Sequence, residues 1–132
     1  MVSACSDIRT DRVRLAVLLR RKPDLSSEEF HEYWAGPHRA LFSSLKIVQS
    51  NLTKYEQAHM NDNIFQQTAG AMGAPPSQWD GVAIFEGESY AKIFEIFQNE
   101  EYLTKVIPDE ANFFIRDQSQ VLPLDLITVF EK

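Results

Sequence analysis

From Asp11 onward, apolar and polar residues alternate. Val13, Leu15, Val17 and Leu19 fall on one side of an extended chain, and Arg12, Arg14, Ala16, Leu18 and Arg20 on the other. This period of two predicts a strand with one core face and one mixed face. Lys22-Pro23-Asp24-Leu25 closes the strand, and at Ser26 the period lengthens. Phe30, Tyr33 and Trp34 recur at helical spacing while Glu28, Glu29 and Glu32 point away from them, so an amphipathic helix starts at Ser26 or Ser27. Ser26 and Glu29 form a capping box, in which the hydroxyl and the carboxylate each satisfy a free backbone N–H of the first turn. Gly36-Pro37 is expected to interrupt this helix, because the residue before a proline is pushed away from helical dihedrals. His38 would then sit at a bend, with a second helical segment running from Arg39 to Lys46.

The stretch from Ile47 to His59 is less apolar and reads as a strand with Asn51, Thr53, Tyr55, Gln57 and His59 on one polar face, exposed or lining a wet pocket. Met60 to Gln78 carries Asn61-Asp62-Asn63, Gly70, Gly73 and Pro75-Pro76, and reads as a long loop of the lid or binding type. Trp79 to Glu86 is a third strand ending at Gly87. Tyr90, Ile93, Phe94 and Phe97 mark a second helix, continued by Tyr102, Leu103, Val106 and Ile107 up to Pro108. Asp109 to Arg116 reads as a further helical turn, and Ser119 to Phe130 as a fourth strand in which Pro123 marks an edge or a bulge. The order strand, helix, strand, strand, helix, strand predicts an α+β, ferredoxin-like fold: an antiparallel four-stranded sheet with helices on one face. The bare second face favours a twofold dimer.

With 132 residues, the chain is expected to form one domain over 11–132 behind a disordered leader of residues 1–10. A formal charge of −6 argues against a nucleic-acid partner, and the early arginines alternate with apolar residues as a solvated face does. The lone Cys5 provides no disulfide framework, and no apolar run reaches membrane-spanning length, so a reducing, cytoplasmic setting is expected.

Lys22-Pro23, Phe30-His31-Glu32-Tyr33-Trp34 and then Pro37-His38, with Trp79-Asp80-Gly81 and Phe113-Phe114-Ile115-Arg116-Asp117, together resemble the signature of the EthD family over about residues 12–131. The resemblance implies a dimeric α+β barrel with a pocket between each sheet and its helices. It also implies kinship with small fungal enzymes of aromatic polyketide pathways, among them decarboxylases, dehydratases and cyclases.

No dinucleotide fingerprint, phosphate loop or Cys-x-x-Cys pair is present, and His31, His38 and His59 lie too far apart for a recognisable metal motif, so neither cofactor nor metal is expected. Cofactor-free decarboxylation of a β-keto acid remains chemically open, because the substrate's own carbonyl takes up the electrons. The protein must supply an acid, a group that orients the carboxylate, and a dry pocket. His38 is the foremost candidate acid, its bland alternative being a helix cap or a packed core residue; His59, with Tyr55 on the polar strand face, is the second. Asp80 is a candidate orienting group and Asp117 a weaker one, both competing with turn roles. Tyr33, Trp34, Tyr55, Trp79 and Phe85 could clamp a flat polycycle or simply fill the core, and Lys54 could attract a carboxylate or stand exposed. The expected activity is decarboxylation of an aromatic polyketide acid by a homodimer. Dehydration or cyclisation, and non-catalytic binding of hydrophobic aromatics, are the alternatives.

Overall fold

The computed structural model describes residues 7–132. Four strands, β1 (Val13–Leu19), β2 (Lys54–His59), β3 (Gly81–Gly87) and β4 (Gln120–Leu124), form one antiparallel sheet in the order β2-β3-β1-β4. The alternation read in β1 sets its faces, with Leu15, Val17 and Leu19 turned toward the helices and opposite Phe85, Ala83 and Gly81 of β3. Pro123 lies in β4, an edge strand paired only with β1, where a missing N–H costs no second ladder. Strand β4 ends at Leu124 rather than Phe130, and Val129 and Phe130 stand exposed beyond it.

Helix α1 (Ser27–Tyr33) starts at an Ser26 N-cap, whose hydroxyl accepts from Glu29 N–H while the Glu29 carboxylate accepts from Ser26 N–H. Gly36-Pro37 does not break this helix. Residues Trp34–His38 form a π-helical turn that runs directly into α2 (Arg39–Ser44), and His38 keeps helical dihedrals of φ −66° and ψ −44°. Proline lacks an N–H and crowds the carbonyl four residues back. The wider turn removes that demand, and the Trp34 carbonyl accepts from Arg39 N–H, five residues on. Pro108 is crossed in a similar way: α5 (Tyr90–Gln98) leads to a π-helical turn at Tyr102–Val106 and then to α6 (Ile107–Glu110). Two further helices, α3 (Lys46–Asn51) and α4 (Phe65–Met72), precede and follow β2 in the chain.

Asn51 therefore belongs to a helix and not to the polar strand face, and β2 begins only at Lys54. Tyr55, Gln57 and His59 face the helices, half-buried, while Lys54, Glu56 and Ala58 are exposed on the other side. The 60–78 segment is not all loop, since α4 occupies its middle and closes on Gly73 in the left-handed conformation at φ 64°. Cys5 and most of the expected leader lie outside the described residues; Arg9, still within that leader, bonds through its N–H to the Leu126 carbonyl at 2.8 Å.

The core fills the space between the sheet and the two helical arms with aromatic rings, among them Phe30, Trp34, Phe42, Tyr102 and Phe113. A Cβ added at Gly81 would overlap the six-membered ring of Trp34, whereas one added at Gly36 would meet open space. Gly81→Ala should destabilise the fold by about 1–3 kcal/mol through overpacking. Gly36→Ala should leave stability unchanged or raise it by up to about 1 kcal/mol. Urea unfolding of the two variants checks the contrast, and equal midpoints would contradict it.

Candidate active site

A cavity of about 340 Å³ opens between the sheet and the helices. The strands contribute Leu15, Val17, Leu19, Ala83, Phe85 and Val121 as an apolar floor. The Trp34–His38 turn and α2 place Trp34, His38 and Phe42 in the opposite wall. Because the helix continues through Pro37, His38 is carried inward and left only 6% exposed.

A buried histidine needs partners, and His38 has one from the second arm. Its Nδ1 lies 2.9 Å from Asp109 Oδ2 in α6. The other carboxylate oxygen, Oδ1, accepts from Tyr33 OH at 2.5 Å, and Asn112 Nδ2 donates to the same phenol at 2.9 Å. The bond to Asp109 pushes the Tyr33 hydroxyl upward in pKa, with burial adding to the shift, so it stays a donor to Asp109. With Nδ1–H given to the carboxylate, Nε2 is the ring nitrogen left for the cavity. The pair has the geometry of an oriented acid–base group: one nitrogen anchored by a carboxylate, the other free to exchange a proton with a ligand.

Glu110, next along α6, lines the same cavity. Its Oε2 accepts from Tyr102 OH at 2.6 Å and its Oε1 from Arg116, whose Nη1 also donates to Tyr102 OH at 3.2 Å. Burial and the Glu110 charge push the Tyr102 phenol far up, so it too remains protonated. The floor carries a further hydroxyl, that of Tyr55, which stacks on Phe85 at 5.3 Å and is raised in pKa by burial.

Of the residues singled out in the sequence, the cavity brings together His38, Trp34, Tyr55 and Phe85. The others lie elsewhere. Tyr33 supports Asp109 from outside the cavity lining. Asp80 accepts from Arg21 N–H at 2.9 Å and lies 3.4 Å from the Arg21 Nε, tying β3 to the end of β1. Lys54 is exposed on the outer sheet face, 3.7 Å from Glu56, and Asp117 is exposed in a 3₁₀ turn at Arg116–Gln118. Trp79 precedes β3 and does not line the cavity. Sequence reasoning missed Asp109, Glu110, Tyr102 and Arg116. The acids follow Pro108 as first-turn acids of many helices do, and Arg116 lay within the quoted Phe113-to-Asp117 run.

His59 stands behind the cavity wall with its ring centroid 4.4 Å from that of Trp34. Gln57 Nε2 donates to the Trp34 carbonyl at 2.9 Å and to Tyr55 OH at 3.1 Å, so its Oε1 accepts from His59 Nε2–H at 2.9 Å. The contact of His31 Nδ1 with His59 Nδ1, at 2.7 Å, then has His31 donating and neutral His59 accepting. Burial and the neighbouring His31 both lower the His59 pKa, in agreement with that assignment. Among the described residues no group of three or more His, Cys, Asp or Glu has the geometry to hold a metal ion, and no helix is long and apolar enough to cross a membrane.

The fold and cavity define a ferredoxin-like α+β domain with an aspartate-anchored histidine in the wall of a largely apolar pocket. The chain belongs to the EthD domain family, whose model matches residues 22–117. Solved structures with the same fold include an ethyl tert-butyl ether D (EthD) family protein from Bacillus halodurans, 13% identical, with a TM-score of 0.58 over 87% of this chain and 99% of that one. SnoaB, a cofactor-independent oxygenase from Streptomyces nogalater, is 10% identical with a TM-score of 0.59, covering 92% of this chain and 99% of its own. A dimeric protein of unknown function from Bacteroides fragilis is 14% identical with a TM-score of 0.60, covering 88% and 97%. No curated protein matches the chain.

Because folding holds His59 below its ordinary pKa, the unfolded chain binds more protons between the two values and stability must fall as pH drops through that window. His59→Gln keeps an acceptor for His31 and removes the titration. Its urea midpoint should therefore fall less than that of the wild type between about pH 7 and pH 5. Parallel curves for the two proteins would contradict the assignment.

Proposed function

We propose that the protein is a cofactor-independent lyase that decarboxylates an aromatic polyketide β-keto acid, with His38 as proton donor. The observation that carries this reading is His38 in the wall of a largely apolar cavity, anchored from behind by Asp109. The electron pair of the bond between the α-carbon and the carboxylate passes into the neighbouring carbonyl as carbon dioxide leaves. The resulting enolate takes one proton from His38 Nε2–H, and the imidazole regains one from water. Asp109 keeps Nδ1 protonated and stabilises the charged ring beforehand, while the apolar wall favours the dispersed charge of the transition state over the compact carboxylate. Trp34, Tyr55 and Phe85 offer faces to a flat polycycle, and the cavity volume falls within the range of about 300–1,000 Å³ usual for small-molecule sites.

The protein acts, in this reading, as a homodimer. Leu122 is 41% exposed on the outer sheet face, where Leu18, Val82 and Ile84 are half-buried, and a second sheet would cover them. Membership of the EthD family supports a role in polyketide tailoring, and SnoaB, described as a cofactor-independent oxygenase, is built on the same fold. A dehydratase or cyclase is the second reading, favoured by the same oriented acid, which serves either reaction without change.

Incubation with a β-keto aromatic acid should release carbon dioxide, and product mass separates this from loss of water, rearrangement or gain of oxygen. Ligand binding without turnover of any such acid would instead mark a non-catalytic binder. His38→Ala should lower kcat by about 10²–10⁴-fold. Asp109→Asn should lower kcat by at least about tenfold with little change in KM, because the reversed hydrogen bond selects the wrong tautomer. Full activity in His38→Ala would remove it from the mechanism.

A further inference from the structure

The cavity has a second polar pole besides His38. Among the residues lining it, Arg116 is the only Lys or Arg, and its side chain is 53% exposed, so it stands at the rim rather than in the floor. A buried carboxylate and a phenol hold it from behind, since Glu110 and Tyr102 both accept from Nη1. Nε and Nη2 meet no partner among the described residues. The guanidinium is thus fixed along one side and open along the edge formed by Nε–H and an Nη2–H, two parallel donors spaced to match the oxygens of a carboxylate.

The geometry points to Arg116 as the residue that recognises and orients the carboxylate of the ligand, a role that rests on the acid-binding reading above. Lys54, the cation singled out in the sequence, faces away on the outer sheet surface. Glu110 has two effects in this arrangement. It supplies the counter-charge that lets a guanidinium stand beside an apolar wall, and it moderates the attraction for a carboxylate that must later leave as neutral carbon dioxide. Asp109 and Glu110 are consecutive residues of α6, so one rigid turn fixes both the acid and the anion-binding group. The ligand class is an aromatic monoacid whose ring system lies on the apolar floor, with its carboxylate on Arg116 and its adjacent carbonyl toward His38.

Calorimetric titration with naphthoate and with neutral naphthamide tests this without any turnover. Wild-type protein should bind the acid more tightly than the amide. Arg116→Gln should weaken naphthoate about ten- to a hundredfold and leave naphthamide within about twofold, with Arg116→Lys between the two. Because Arg116→Gln strands a buried Glu110 charge, the double variant Glu110→Gln/Arg116→Gln removes both partners and should lose the preference likewise. An acid preference that survives either variant, or its absence in the wild type, overturns the assignment. Release of carbon dioxide by Arg116→Gln with unchanged KM would overturn it too while leaving decarboxylation intact. Arg116-dependent acid binding with no release from any β-keto acid would support the anion site and refute the reaction.

Discussion

The bond between His38 and Asp109 is what the rest of the cavity depends on. It joins residues 71 apart in sequence and ties the first helical arm to the second directly across the aromatic core. A histidine buried among Phe42 and Phe113 would otherwise carry an unsatisfied nitrogen at a cost of about 1–3 kcal/mol. Asp109 removes that cost, Tyr33 OH in turn donates to the half-buried Asp109, and Asn112 Nδ2 donates to Tyr33 OH. Each polar group is satisfied by the next, and the chain of bonds ends at the surface with Asn112, which is exposed.

Consecutive acids on one short helix then set the polarity of the whole pocket. Side chains at neighbouring helical positions diverge by about 100°, so Asp109 faces the first arm while Glu110 faces Tyr102 and Arg116. Both carboxylates are consumed by protein donors, and both phenols that touch them are held protonated. The cavity between them is therefore walled mainly by rings and aliphatic side chains, with the open edge of Arg116 confined to its rim. An apolar ligand with one acidic end fits such a division better than a polar ligand of the same size.

Local signals in the sequence were enough for the capping box at Ser26 and for the faces of β1, because both depend on residues within a few positions of each other. The strand–helix order was legible for the same reason, and the family motifs pointed to the fold that the sheet order realises. What remained hidden depended on distant pairings. Nothing local distinguishes Asp109, bonded to a histidine in the other arm, from an ordinary first-turn acid after a proline. Asp80 and, more weakly, Asp117 were the candidates for that orienting role, yet one secures the Arg21 backbone and the other faces solvent. His31 and His59, 28 residues apart, meet only because β2 passes beside α1. Turn residues in the 60–78 segment likewise masked α4, a helix with no fully buried residue and hence a weak apolar pattern.

The Gly36-Pro37 step is the case in which a sound local rule led to the wrong geometry with a similar outcome for the histidine. A proline disfavours α-helical continuation, but the chain met that constraint by widening one turn instead of ending the helix. Gly36 and Pro37 both lie on the exposed side of that turn, so neither has to pack. A widened turn holds one residue more than an α-helical one and rotates everything after it by about 100° relative to a regular helix. In a regular helix carrying the same sequence, His38 would lie on a different azimuth from the one that meets Asp109 and the cavity. The loosened turn also directs the Trp34 carbonyl toward Gln57, which holds Tyr55 on the opposite wall. The helical irregularity and the buried histidine are thus one feature, and the proline that looked like a stop signal is the residue that turns the histidine inward.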